Sequence, residues 1–198
     1  VREACGVILA GGRGERFGGP KAFAVLPDGR TFLQACRDTL AAAGCAPIVA
    51  TLPAGTAPPR LAGILALPLP APDLAMFDSL TVALTSALAD ERWQVAVILP
   101  VDHPLADAGA VRALREACRR AAVPKHRGKR GHPVAVGREL AAAIANGLYP
   151  PSATLRDVLH AAGVVDVDVD DPGVNANCNT PEALAAAWKR RDARTEGP

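Results

Sequence analysis

The segment Val7-Ile8-Leu9-Ala10-Gly11-Gly12-Arg13-Gly14-Glu15-Arg16-Phe17-Gly18-Gly19-Pro20-Lys21 constrains this chain more than any other. An apolar, β-branched run leads straight into a glycine-rich loop that carries two arginines and ends on Pro-Lys. Glycine admits φ > 0 and lets a backbone approach a ligand closely. Successive backbone N–H groups in such a loop form a concavity that binds anions. Arg16 and Lys21 place fixed positive charge where a polyphosphate would lie, and Arg13 is a further candidate. The segment reads as a strand whose end opens onto a nucleoside triphosphate site.

Two better-known glycine loops do not fit. A P-loop requires Lys directly after the last Gly, followed by Ser or Thr. Here Pro20 follows Gly19, and Ala22 stands where the hydroxyl should be. A dinucleotide fingerprint requires G-x-G-x-x-G, and Phe17 occupies its last position. A solvated surface loop is the bland alternative; the fixed order of strand, glycines, arginines and Pro-Lys argues against it.

Further along, apolar runs alternate with helical patterns. Cys5–Leu9, Ile48–Thr51, Ile64–Leu67 and Val95–Leu99 read as buried parallel strands. Thr31–Ala43, Ser79–Leu88 and Ala108–Ala122 carry helical spacing. This alternation predicts βαβ units and a parallel sheet covered on both faces. In the second half, Ala121–Pro124 and Pro133–Val136 read as two strands joined by a basic turn, Lys125–His132. Arg138–Asn146 and Thr154–Ala162 read as helices, and Val164–Val169 as a last strand. Thr180, Pro181 and Glu182 mark the start of a final helix by cap, first-turn proline and N-terminal acid. The expectation is α/β: a single three-layer domain with a mostly parallel, Rossmann-like sheet over residues 1–188, and a disordered tail over 189–198.

Composition removes several classes. The net charge is +2 and aromatics are 4% of the 198 residues, so neither a nucleic-acid surface nor a base-stacking platform is expected. No apolar run reaches the ~18 residues of a membrane span. Val1-Arg2-Glu3-Ala4 enters the first strand directly, which leaves no room for a signal peptide. Cys5, Cys36, Cys45, Cys118 and Cys178 are scattered and lack any C-x-x-C, so neither a disulfide framework nor a zinc site is expected. Cys5 and Cys36 read as small apolar residues, and a reducing cytoplasm is the expected compartment.

Two later segments supply polar chemistry. Leu99-Pro100-Val101-Asp102-His103-Pro104 puts a carboxylate just past a strand, at the end where ligands of open α/β sheets bind. Mg²⁺ takes oxygen ligands, only one or two of them from protein, and Asp102 suits that demand. As a lone residue Asp102 also suits a turn, and His103 suits either a contact with phosphate or acceptor or a solvent-facing loop. Gly173-Val174-Asn175-Ala176-Asn177-Cys178-Asn179-Thr180 alternates asparagines before the helix cap, where Asn side chains also bond local backbone. Lys125-His126-Arg127-Gly128-Lys129-Arg130-Gly131-His132-Pro133-Val134 is either a solvated loop or the wall of an anionic acceptor site.

The N-terminal order resembles the signature L-[AG]-[AG]-G-x-G-x-R-[FM]-x(n)-P-K of the nucleotidyltransferase superfamily. Leu9-Ala10-Gly11-Gly12 and Arg16-Phe17-Gly18-Gly19-Pro20-Lys21 look most like its MobA/MocA-like branch, which attaches GMP or CMP to the phosphate of molybdopterin. The resemblance spans Val7 to Leu184 and implies a nucleotide-diphospho-sugar transferase type of sheet. Leu-x-x-Asp-x-Pro at 99–104 resembles the family's metal motif. Asn177-Cys178-Asn179-Thr180-Pro181-Glu182 is similar to [ND]-x-[ND]-T-P-E. The resemblance therefore implies Mg²⁺ held by Asp102 and Asn177, with Asn in place of Asp reducing the charge of the pair. It implies a nucleotide on Leu9, Ala10, Gly11, Gly12, Arg13, Lys21, Ser79 and Asp102. Arg16, Lys21 and Asp102 would act in catalysis. Arg130-Gly131-His132-Pro133-Val134 is similar to R-x-G-H-P-V of cytidylyltransferase-like members and implies an acceptor wall at His132, with Asn179 supporting the loop or touching acceptor.

The implied donor is GTP or CTP. Leu-Ala-Gly-Gly at 9–12 and the Asn-Cys-Asn-Thr-Pro-Glu segment look guanylyl-transferring. Pro20-Lys21 and Gly-His-Pro-Val look cytidylyl-transferring. Gly11, lying where the base should sit, favours GTP. The implied acceptor is a molybdopterin-type phosphate, with a molybdoenzyme or its chaperone as recipient of the product. A sugar-phosphate nucleotidyltransferase and a nucleotide-binding regulatory module without catalysis remain alternatives.

Overall fold

A computed structural model describes residues 3–14, 17–72, 74–150 and 152–195. The first half lays down β1 (Ala4–Leu9), α1 (Phe32–Ala42), β2 (Cys45–Leu52), β3 (Leu65–Pro68), α2 (Met76–Ala87) and β4 (Val95–Pro100). The second half adds α3 (Ala108–Ala117), β5 (Ala121–His126), β6 (Lys129–Arg130), β7 (Val134–Gly137), α4 (Arg138–Ala145), α5 (Leu155–Ala162), β8 (Val165–Asp168) and α6 (Pro181–Thr195).

The strands form one sheet in the order β3-β2-β1-β4-β7-β5-β6, with β8 on β5. β3, β2, β1 and β4 run parallel, and β8 runs parallel to β5. The chain thus builds outward from β1 to one side, then crosses back to place β4 on its other side. Such a reversal leaves a crevice at the carboxyl ends of the two strands.

Alternation along each strand feeds two apolar layers. Ala4 and Ile8 of β1, with Val95, Val97 and Leu99 of β4, pack with Phe32, Leu33 and Leu40 of α1 and Val111 and Leu114 of α3. Cys5, Val7 and Leu9, with Ala96 and Ile98, pack with Leu80 and Leu84 of α2, Leu140 and Ile144 of α4 and Val158 of α5. Each fully buried Leu, Ile or Phe stabilises the fold by about 1.5–3 kcal/mol. The three layers expected from the sequence are present.

α1 begins at a capping box: the Thr31 hydroxyl accepts from Gln34 N, and the Gln34 side chain accepts from Thr31 N. α2 begins at Met76, not at Ser79 as its spacing suggested. The Ser79 hydroxyl donates to Ala75 O at 3.2 Å, so Ser79 closes the first turn. α3 stops at Ala117, short of the expected Ala122, because Ala121 and Ala122 face opposite layers as strand residues must. α6 continues past Lys189, where a frayed tail was expected to begin, and ends at Thr195. No helix among the described residues is long and apolar enough to cross a membrane.

β7 is antiparallel to β4, with Ile98 opposite Val134 and Val95 opposite Gly137. The two strands expected around the basic turn are present as β5 and β7, which pair antiparallel, and β6 adds a short hairpin inside that turn. This register brings the residues entering β7, Gly131 to Pro133, to the same rim as the residues leaving β1 and β4.

Candidate active site

The loop after β1 leaves the sheet held by both neighbours. Ala10 N donates to Thr51 O at 3.2 Å, and Val101 N donates to Leu9 O at 3.1 Å. Gly14 then turns the chain at φ +64°, and its carbonyl accepts from Phe17 N at 2.7 Å and Gly19 N at 3.3 Å. A Cβ there would collide with Gly19 O and stand 2.9 Å from Lys21 N. Phe17 anchors the far limb by packing edge-on against Phe32, ring centroids 5.4 Å apart. Pro20 then leads into a single 3-10 turn, Lys21–Phe23.

A cavity of about 290 Å³ opens where β1 and β4 end. Leu9, Gly11, Gly12, Arg13, Gly14, Lys21, Ser79 and Asp102 line it, together with Pro72, Leu74 and Met76. The structure thus gathers the sequence-derived nucleotide residues into one pocket; Ala10 is buried behind it. Arg16 lies outside the described residues. The outer wall formed by Pro72, Leu74 and Met76 escaped sequence reasoning, because a Pro/Ala-rich connection gives no sign of which cavity it will border. A Cβ on Gly11 would displace the end of the Leu69 side chain and lie 3.4 Å from Ser79 Oγ.

Asp102 and Lys21 meet at the floor of this pocket. Lys21 Nζ lies 3.8 Å from Asp102 Oδ2 and donates a hydrogen bond to Asn179 Oδ1. The side chains of Lys21 and Asp102 are 19% and 21% exposed, enough to reach a ligand and enough desolvated to matter to it. The Asp102 carbonyl accepts from Cys178 N at 2.7 Å, which staples the Asn177–Asn179 loop to the end of β4. Asn177 sits exposed one residue before that staple. Asn179, expected to support the loop or touch acceptor, is paired with Lys21.

His103 follows Asp102 into the interior. Its Nδ1 lies 3.0 Å from Asp102 Oδ1, and its ring faces the His132 ring at 4.7 Å between centroids. His132 is held from the other side, its backbone N–H donating to Val174 O at 2.8 Å. A Cβ on Gly131 would collide with that same carbonyl, so the basic turn can approach the 172–175 segment only through glycine. Asn175 Nδ2 ties the hairpin down through His126 O at 3.4 Å and Lys129 O at 3.3 Å.

These contacts set the charges. Burial pushes the Asp102 carboxyl up, but the His103 hydrogen bond and the charges of His103 and Lys21 outweigh it and hold Asp102 below its ordinary value. Asp102 is therefore an ionised oxygen donor at neutral pH. Burial, reinforced by repulsion from His103, pushes His132 down to about 4, so its ring is neutral. Burial and the Asp102 charge push the Cys178 thiol up to about 11, which leaves it inert.

A larger cavity, about 520 Å³, lies behind the same loops between α1 and α6. Two of its carboxylates are occupied by backbone: Asp107 caps Ala110 N, and Asp171 accepts from Asp107 N and Gly173 N. It contains neither Asp102 nor the glycine loop, so the chemistry belongs to the smaller pocket.

A glycine-rich loop at the switch point of a mostly parallel sheet, with a lysine and an ionised carboxylate on its floor, defines a nucleotide-binding α/β protein. Residues 6–168 match the family described as MobA-like NTP transferase domain. The chain belongs to that family and is a nucleotidyltransferase.

Known structures agree on the fold. The homologue of Mycobacterium tuberculosis Rv0371c from Mycobacterium sp. strain JC1 is 24% identical, covering 94% of this chain and 98% of its own at a TM-score of 0.74. Rv0371c itself from M. tuberculosis H37Rv, solved in complex with manganese, is 23% identical over 94% of this chain and 98% of its own, TM-score 0.69. The 2-C-methyl-D-erythritol 4-phosphate cytidylyltransferase of Thermus thermophilus is 21% identical over 96% of this chain and 99% of its own, TM-score 0.68. In sequence, the bifunctional enzyme IspD/IspF of Novosphingobium aromaticivorans is 46% identical over 68 residues, which are 32% of this chain and only 17% of that protein.

Proposed function

We propose that this chain transfers a nucleoside monophosphate from GTP or CTP to the phosphate of a molybdopterin-type acceptor and releases pyrophosphate. The observation that carries the reading is the convergence of Lys21 and Asp102 beneath the glycine loop, beside the His132 segment. Lys21, with Arg16 and Arg13, holds the triphosphate; lysine acts on it as a point charge and arginine as a fork. Leu9 to Gly12 and Ser79 border the base and sugar.

The donors suit a hard divalent cation. Asp102 is ionised and partly exposed, and Asn177 supplies an amide oxygen from the stapled loop. No group of three or more His, Cys, Asp or Glu among the described residues is arranged to hold a metal by itself. Triphosphate oxygens and water would complete the shell, as is usual for Mg²⁺. When bound, the cation offsets charge developing on the phosphates.

The acceptor enters from the His132 side. An oxygen of its phosphate attacks the α-phosphorus, a new P–O–P linkage forms, and pyrophosphate leaves with the electron pair of the broken bond. A phosphate monoester, with a second pKa of about 6, needs no general base at neutral pH. The protein's part is positioning and electrostatics. Neutral His132 suits a hydrogen bond to the acceptor better than an ion pair.

A sugar-phosphate acceptor is the second reading, favoured by the fold shared with the Thermus cytidylyltransferase. A screen of pyrophosphate release, with Mg²⁺ or Mn²⁺, each NTP, and molybdopterin or sugar phosphates, decides between them. Turnover with GTP or CTP and molybdopterin supports the first reading; turnover only with a sugar phosphate replaces it. Tight NTP binding without turnover on any pair would make the chain a regulatory nucleotide-binding module.

A further inference from the structure

We infer that His103 is a positioning residue: its imidazole fixes the Asp102 carboxylate so that one oxygen is held internally and the other is left for a divalent cation. The inference rests on the reading of Asp102 as the metal-facing carboxylate.

His103 is one of the few buried polar residues among the described chain, 6% exposed. A buried imidazole is costly unless its polar atoms find partners. The partner of Nδ1 is Asp102 Oδ1, at 3.0 Å. An ionised carboxylate only accepts, so Nδ1 must carry the proton and donate it. Asp102 Oδ2 is engaged differently: its neighbour Lys21 Nζ stands at 3.8 Å, beyond hydrogen-bond distance. The two oxygens are thus inequivalent: Oδ1 is taken by His103, whereas Oδ2, ion-paired to Lys21 without a hydrogen bond to it, is the one left for a ligand.

The imidazole is itself held. His103 N donates to Pro100 O at 3.0 Å in the turn leaving β4, and the His132 ring packs on it at 4.7 Å and 58°. The Asp102 backbone is pinned independently by Cys178 N. With its backbone stapled and one oxygen bonded, Asp102 has little rotamer freedom left to lose when a cation binds. Groups that orient metal-binding carboxylates in this way change metal affinity or activity by roughly 10–100-fold when removed.

Three variants and one direct observation test this. His103→Leu keeps bulk and removes the donor. His103→Asn returns an N–H close to the position of Nδ1. Asp102→Asn tests the underlying metal reading. Mn²⁺ affinity is read from the EPR signal of the free ion with a non-hydrolysable GTP or CTP analogue present, and circular dichroism checks folding. His103→Leu should weaken Mn²⁺ binding about 10–100-fold, and His103→Asn should recover most of the loss. If Asp102→Asn weakens Mn²⁺ binding while folded His103→Leu stays within twofold of the parent, the positioning role is wrong and the metal reading stands. If Asp102→Asn leaves Mn²⁺ affinity unchanged, the metal reading itself falls. ¹⁵N-histidine NMR of the metal-free parent protein needs no variant: Nδ1 of His103 should be protonated, and a neutral ring protonated only at Nε2 would overturn the inference.

Discussion

Lys21, delivered by the glycine-rich loop, and Asp102, delivered by the end of β4, stand 3.8 Å apart, with Lys21 also bonded to Asn179. One ammonium group therefore touches all three segments that frame the pocket floor. It balances the carboxylate, and on the proposed reading it also meets the triphosphate.

Lys21→Met should lower kcat by about 10²–10³-fold, the range for loss of one charged donor aimed at transition-state charge. Steady-state pyrophosphate release measures it. Circular dichroism should be recorded alongside, because both side chains are largely buried and removing the ammonium leaves the Asp102 carboxylate uncompensated.

Gly14 and Gly12 should respond oppositely to alanine. Gly14→Ala meets a left-handed φ and the Gly19 carbonyl at once, and should cost at least about 2 kcal/mol. Gly12→Ala meets no atom within 4 Å. It should leave the urea midpoint within error while weakening nucleotide binding, measurable by calorimetry.

His132 predicts an acid-sensitive fold. Its pKa is about 4 when folded against 6.5 when free. Between those values the unfolded chain binds more protons, so stability rises with pH. Read downward, stability is lost as pH falls from about 6.5 to about 4, by up to about 3 kcal/mol. Asp102, held below its ordinary value, adds its loss only at lower pH. Denaturant unfolding across this range checks the slope, and His132→Phe, which keeps a ring but does not titrate, should flatten it.

All five cysteines are buried and none is in a disulfide, and burial raises the thiols of Cys5, Cys36, Cys45 and Cys178. The native protein should therefore react slowly with Ellman's reagent at pH 8, and fully once denatured. A fast-reacting native thiol would contradict the packing beneath Asp102.

The sequence exposed what is written locally. Glycines, Pro-Lys and an aspartate after an apolar run are short-range signals, and the pocket assembled from them. Harder to read was whatever depends on distant segments meeting. Ser79 looked like a helix start because its partner, Ala75, carries no capping signal. His103 read as a phosphate or acceptor contact or a solvent-facing loop residue, because the contacts that bury it come from Asp102 beside it and from His132 in the turn entering β7. Pro72, Leu74 and Met76 became pocket wall only through the path of the connection into α2.

The reversed direction of β7 has a further consequence. Parallel strands offer a ligand only the loops that leave them, whereas β7 offers the loop that enters it. The donor end of the pocket hangs from β1, the proposed acceptor end from β7, and β4 lies between them as a fixed partition. On the proposed reading the two specificities are separable parts. Exchanging residues 125–133 with those of a relative should redirect the acceptor while the nucleotide is still chosen by the N-terminal loop, so one scaffold can be re-targeted by replacing a single hairpin.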